Sequence, residues 1–137
     1  MPTEIFPSRL DSLEKISEFV AKAARTAGLG EAAVYAVQLA VDEAATNIIE
    51  HAYGRDREGD IHCDCEPFEN GLKVILTDYG KPFNPEAIPD PETNVPLEDL
   101  KPRGLGLFLM RKMMDEIHFD FTEDRGNILT MIKHKSN

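Results

Sequence analysis

The stretch "VQLAVDEAATNIIEHAYG", residues 37–54, carries two patterns at once. Val37, Val41, Ala44, Ala45, Ile48 and Ala52 recur at the three- and four-residue spacing of a helix that buries one face. Glu43, Asn47 and Glu50 fall on the opposite stripe, and Glu43 and Asn47 are one turn apart. A carboxylate placed there can take a proton from a hydroxyl or water, and an amide oxygen can ligate Mg²⁺. Taken alone, the same stripe also reads as the solvated face of an ordinary amphipathic helix. The surrounding chain has to decide.

The spacing predicts this helix over about residues 31–52, ending at Gly54. Before it, "EIFP" at residues 4–7 reads as a short edge strand. A first helix is predicted from Ser8, which serves as N-cap with Asp11 three residues on. Leu13, Ile16, Val20, Ala23, Ala24 and Ala27 mark its buried face, and Gly28 stops it. After the second helix, "GDIHCDCEPF" (59–68) and "GLKVILTDYG" (71–80) alternate as strands, joined at Glu69-Asn70-Gly71. Residues 81–102 hold six of the nine prolines and no periodic pattern. A loop of that length in a compact domain usually has a functional role. "GLGLFLMRKMMDE" (104–116) is helical, and "IHFDFTED" and "NILTMIKH" form a last hairpin around Arg125-Gly126-Asn127. This order predicts an α+β two-layer sandwich: a mixed, mainly antiparallel sheet covered on one face by helices, in a single domain spanning residues 1–137.

Composition removes several classes of function. A net charge of −10 argues against nucleic acid, which needs a basic face. An acidic chain can still hold a polyphosphate if it offers backbone N–H groups, a few local cations and Mg²⁺. Lys101, Arg103, Arg111 and Lys112, which flank a pair of glycines, are such cations. No apolar run approaches the length of a membrane span, and Met1-Pro2-Thr3-Glu4 begins no signal peptide. Cys63 and Cys65 are two apart, side by side on one face of a strand, where a disulfide would be strained. Reduced thiols and a cytoplasmic setting follow as expectations. His62 beside them raises a metal site, but no second ligand pair stands at zinc spacing, so a plain strand is expected.

Two further clusters carry chemistry. In "DYGKPFNP" (78–85), Asp78 closes an apolar strand and Gly80 follows at the mouth of the proline-rich loop. A buried carboxylate at that point can accept a hydrogen bond from an exocyclic amine such as that of adenine, although Asp and Gly also favour ordinary turns. In "RGLGLFLM" (103–110), Gly104 and Gly106 open a helix whose first N–H groups point outward, an arrangement suited to an anion. It is not a dinucleotide fingerprint, because no strand leads into it and Leu109 occupies the third glycine position.

In this order, the three clusters resemble the GHKL ATPase/kinase superfamily with its Bergerat nucleotide-binding fold. "DEAATNIIEHAYG" is similar to its N box, "DYGKPFNP" to its first G box and "RGLGLFLMRKMMDEI" to its second, so the resemblance covers about residues 8–134. Within the superfamily the motifs look most like the anti-sigma-factor serine kinases of bacterial partner-switching systems. That resemblance implies ATP and Mg²⁺ as cofactors, with Glu43 as general base and Asn47 as metal ligand. It also implies that Asp78 contacts the adenine amine, that Gly80 lets the base approach, and that residues 81–102 form an ATP lid. Arg103, Gly104, Leu105, Gly106 and Leu107 would lie at the phosphates. Pro82 stands where many relatives have glycine, and Asn127 where many have threonine beside adenine.

A sensor histidine kinase would carry a helical segment with a phosphoacceptor histidine. Gyrase-like and chaperone-like ATPases would carry a following domain that supplies a catalytic lysine. Neither is read in these 137 residues, and His51, His62, His118 and His134 show no acceptor context. The expectation is therefore a protein-serine kinase whose phosphoacceptor is a Ser on a small antagonist protein, with a sigma factor as a further partner and a homodimer as the assembly. The alternative is a nucleotide-dependent binding protein that sequesters a sigma factor or other regulator without phosphorylating it.

Overall fold

The computed structural model describes residues 2–53, 59–81, 102–122 and 124–135. Its elements run β1 (Thr3–Pro7), α1 (Leu13–Thr26), α2 (Glu31–Asn47), β2 (Asp60–Phe68), β3 (Gly71–Asp78), α3 (Pro102–Met113), β4 (Glu116–Thr122) and β5 (Gly126–His134). The strands form one sheet in the order β1-β2-β3-β5-β4, and all four pairings are antiparallel. The parallel component of the expected mixed sheet is absent among the described residues. The two-layer arrangement itself stands as expected.

Strict alternation makes the sheet two-sided. Ile61, Cys63 and Cys65 of β2, Leu72, Val74 and Leu76 of β3, and Leu129 and Met131 of β5 are buried in one cluster with α1, α2 and α3. Between them, His62, Asp64 and Glu66, then Lys73, Ile75 and Thr77, take the other face. There the register sets Lys73 opposite Glu66, with an ion pair at 3.9 Å. α1 and α2 contribute small and branched residues, so they lie close to each other and to the sheet: Ile16, Val20 and Ala24 from α1, and Val34, Val37, Ala40, Val41 and Ala45 from α2. Both cysteines are free and fully buried. The hydrogen bond to Cys65, and then burial, push the Cys63 thiol far above its ordinary range, which leaves it a core residue.

Several boundaries differ from those predicted, among them the end of α3, which stops at Met113, so that Glu116, expected in the helix, opens β4 instead. Ser8 does not cap α1: its N–H goes to the Gly59 carbonyl, and its buried hydroxyl has no hydrogen-bond partner. A 3₁₀ turn, Leu10–Ser12, intervenes first, and Ser12 Oγ donates back to the Pro7 carbonyl at 2.7 Å. α3 begins at Pro102, two residues before the glycine pair, with proline at the first helical position, where its missing N–H costs nothing. The second helix does continue past Asn47, but as a wider π turn over Ile48–Tyr53. The expected end at Gly54 and the segment 82–101 lie outside the described residues.

Candidate functional site

Asp78 is the last residue of β3, and the strand register sets it opposite Asn127 of β5. Both are buried, at 5% and 8% exposure. Asn127 Nδ2 donates to Asp78 Oδ1 at 2.9 Å and to the Gly80 carbonyl at 3.0 Å, while the Gly80 N–H donates to the same Oδ1 at 2.9 Å. Among the described residues, both hydrogen bonds given to this carboxylate fall on Oδ1. Burial raises the Asp78 carboxyl above its ordinary range, and the bonds from Asn127 and Gly80 oppose that rise.

The pair opens into a cleft lined also by Asn47, Lys81, Ile48, Met110, Phe119 and Phe121. Asn47 comes from the end of α2, one turn beyond Glu43. Phe119 and Phe121 come from the inward face of β4 and stack at 6.2 Å with an interplanar angle of 24°. The walls are thus largely apolar, with an acceptor, two amides and one cation converging on them. Such a pocket suits a flat, partly polar ring system.

The π turn decides which residues share the Asn47 face. With α spacing His51 would follow Asn47 one turn on, whereas with the wider turn Ala52 does. Asn47 and Ala52 both line the cleft, and His51 is exposed. Gly80 packs against this turn: a Cβ on it would lie 2.5 Å from the carbonyl carbon and oxygen of Ala52. Only glycine allows that approach.

Comparison with known proteins gives this arrangement a family. A model described as "Histidine kinase-like ATPase domain" matches residues 6–133. The chain belongs to the histidine kinase-like ATPase domain family. Among curated relatives, a serine-protein kinase RsbW of Halalkalibacterium halodurans is 36% identical over 101 residues, covering 71% of this chain and 60% of that protein. An anti-sigma F factor of Clostridium novyi is 35% identical over 99 residues, covering 71% of this chain and 68% of that protein. The match thus spans about 60% of the length of the first curated relative. The solved RsbU and RsbW domains of a Mycobacterium tuberculosis protein share the fold at a TM-score of 0.65 and 13% identity, over 100% of this chain and 33% of that one. The resemblance read from the three motifs is borne out as to family.

Within the histidine kinase-like ATPase frame, the structure gathers Asn47, Asp78 and Asn127 around one cleft. Gly80 borders it through its contacts with Asp78, Asn127 and Ala52. Glu43 is half-buried on α2 and does not itself line the cleft. Burial, and then the neighbouring Asp42 charge, raise its carboxyl above the ordinary range. Glu50 is half-buried within the π turn. Arg103, Gly104, Leu105 and Gly106 fall in the first turns of α3, whose leading N–H groups have no partner within the helix. Leu107 is buried, at 2% exposure. Arg111 and Lys112 do not join that N-terminal end. They lie in the last turn of α3, about 12 Å along the axis at 1.5 Å per residue, where they complement the helix dipole.

Reading the sequence missed the two phenylalanines and Lys81. The segment "IHFDFTED" was read only as one strand of the last hairpin, and nothing in it marked Phe119 and Phe121 as a cleft wall. Lys81 was read only as the first residue of the proline-rich segment.

Proposed function

We propose that this chain is an ATP-dependent protein-serine kinase that phosphorylates a small antagonist protein and acts as an anti-sigma-factor-like regulator. The observation that carries the reading is the buried Asp78 carboxylate, fixed through Oδ1 by Asn127 and Gly80 in the wall of a largely apolar cleft. An exocyclic amine of adenine is the matching donor. The names of the relatives, serine-protein kinase RsbW and anti-sigma F factor, support the output. A cytoplasmic setting and a homodimer belong to the same reading.

The donor set also fits Mg²⁺. Asn47 offers one hard oxygen at the cleft, and no group of three or more His, Cys, Asp or Glu that could hold a metal occurs among the described residues. One protein oxygen suits a cation that arrives with phosphates and keeps much of its water. When bound, the ion would neutralise charge on the phosphates. The first N–H groups of α3 would receive phosphate oxygens.

Glu43 would accept the proton of the partner's Ser hydroxyl as its oxygen bonds to the γ-phosphorus and the bond to the bridging oxygen of ADP breaks. A carboxyl held above its ordinary range is the better proton acceptor, which is the direction found for Glu43. The test is transfer of γ-labelled phosphate to a candidate antagonist. The intact chain should label a Ser, and Glu43→Ala should bind ATP but label roughly 10²–10⁴ times more slowly. A partner that is bound yet never labelled would make the chain a sequestering protein.

A further inference from the structure

We propose that Tyr53 is a positioning residue for base recognition, tying the π turn that follows Asn47 to the corner that presents Asp78. The inference rests on adenine being read at Asp78. Tyr53 ends the π turn, and its hydroxyl accepts the Tyr79 N–H at 2.8 Å while donating to the Asp60 carbonyl at 2.8 Å. One hydroxyl thus joins the end of the second helix, the start of β2 and the residue between Asp78 and Gly80.

Neighbouring contacts hold the same junction. The Lys81 N–H donates to the Ala52 carbonyl at 2.7 Å, and Gly80 packs on the Ala52 backbone. The Tyr53 ring occupies the space a side chain at Gly59 would need, with ring atoms 2.4–2.6 Å from the position of its Cβ. The junction therefore closes on both sides of residues 79–81. Asp78 Oδ1 is oriented by Gly80 and Asn127, and Gly80 is oriented by Ala52 and, through residue 79, by Tyr53.

The geometry gives the π turn a reason. Five-residue spacing brings Ala52 under Asn47 and swings Tyr53 toward β2 and β3, so Asn47 and Asp78 are held by one rigid unit. Wide turns of this kind occur frequently at functional positions. Without the hydroxyl, the ring packing would remain but residue 79 could shift, and a shift there moves the carboxylate that selects the base. In the same pose guanine sets an acceptor oxygen against that carboxylate where adenine sets its amine, so GTP has no hydrogen bond there to lose when the carboxylate shifts.

The experiment measures Mg·ATP and Mg·GTP affinity by calorimetry in the unaltered chain, Tyr53→Phe and Tyr53→Ala, together with exchange of the Tyr79 amide by NMR. Tyr53→Phe should lower ATP affinity roughly three- to tenfold, the effect of one hydrogen bond. It should leave GTP affinity within about twofold and speed Tyr79 amide exchange, with a melting temperature a few degrees lower for the two lost hydrogen bonds. Tyr53→Ala should add a loss of thermal stability from the missing ring. An ATP-to-GTP preference in Tyr53→Phe equal to that of the unaltered chain, or an unchanged Tyr79 exchange rate, would overturn the positioning role while leaving adenine recognition intact. Equal ATP and GTP affinity in the unaltered chain would instead overturn the adenine reading, and this inference with it.

Discussion

Asp78 combines two roles that conflict energetically. On the proposed reading it accepts from an amine as a carboxylate, yet it lies where charge is disfavoured, and among the described residues Asn127 and Gly80 reduce that cost. The sign of the linkage follows. An aspartate whose folded value is raised contributes stability that is full below its ordinary value of 3.8 and is lost as pH rises through the raised value. Asp78→Asn removes that titration. The difference in urea midpoint between the unaltered chain and Asp78→Asn should therefore favour the unaltered chain more at about pH 4 than at about pH 7. A difference independent of pH would show that Asp78 is not held against ionisation. Asp42 and Glu43 are displaced in the same direction by burial, so the comparison has to be made against the variant rather than read from the unaltered chain alone. The aspartate and its partner were both marked in the sequence. The bond between them was not, because it depends on β3 and β5 being neighbours, 49 residues apart.

Strands were the most legible elements. The alternation in residues 60–68 and 71–78, and the turn at Glu69-Asn70, fixed β2 and β3 almost to the residue, because one face is buried and period two admits no other register. Helix ends were less legible. Ser8 has the composition of a cap, but chain pairing in β1 takes its N–H to Gly59, and tertiary structure outweighs the local preference. The π turn left no mark on the pattern, since Ile48, Ile49 and Ala52 satisfy α spacing as well. The last hairpin offers a direct test. Gly126 holds φ at +83°, and a Cβ there would lie 2.5 Å from the Asp78 carbonyl oxygen. Gly126→Ala should cost about 2 kcal/mol of stability through strain and overpacking, measured by urea unfolding. Because residues 78 and 127 flank the disturbed contact, it should weaken ATP binding as well. Native stability in that variant would mean that the hairpin can rearrange freely.

Charge and connectivity act on the whole molecule. At a net charge of −10 the folded chain repels itself, and added salt screens that repulsion over a distance of about 10 Å at 0.1 M. The melting temperature should rise between low salt and about 0.3 M NaCl, which scanning calorimetry can check, and a fall would point to attractive ion pairs as the dominant electrostatic contribution. No helix among the described residues is long and apolar enough to cross a membrane. The strand order places β3 at the centre, paired with β2 nearby in sequence and with β5 far away. β2–β3 and β4–β5 can each zip as local hairpins, whereas β3–β5 must close a long loop first. Asp78 and Asn127 lie on that seam. A refolding chain should therefore recover most of its secondary structure before it can bind nucleotide, and stopped-flow circular dichroism run beside a fluorescent ATP analogue should show the lag. On the proposed reading this order would act as a checkpoint during synthesis, because a chain still lacking β5 has no Asn127 to hold Asp78 and so no finished corner for the base.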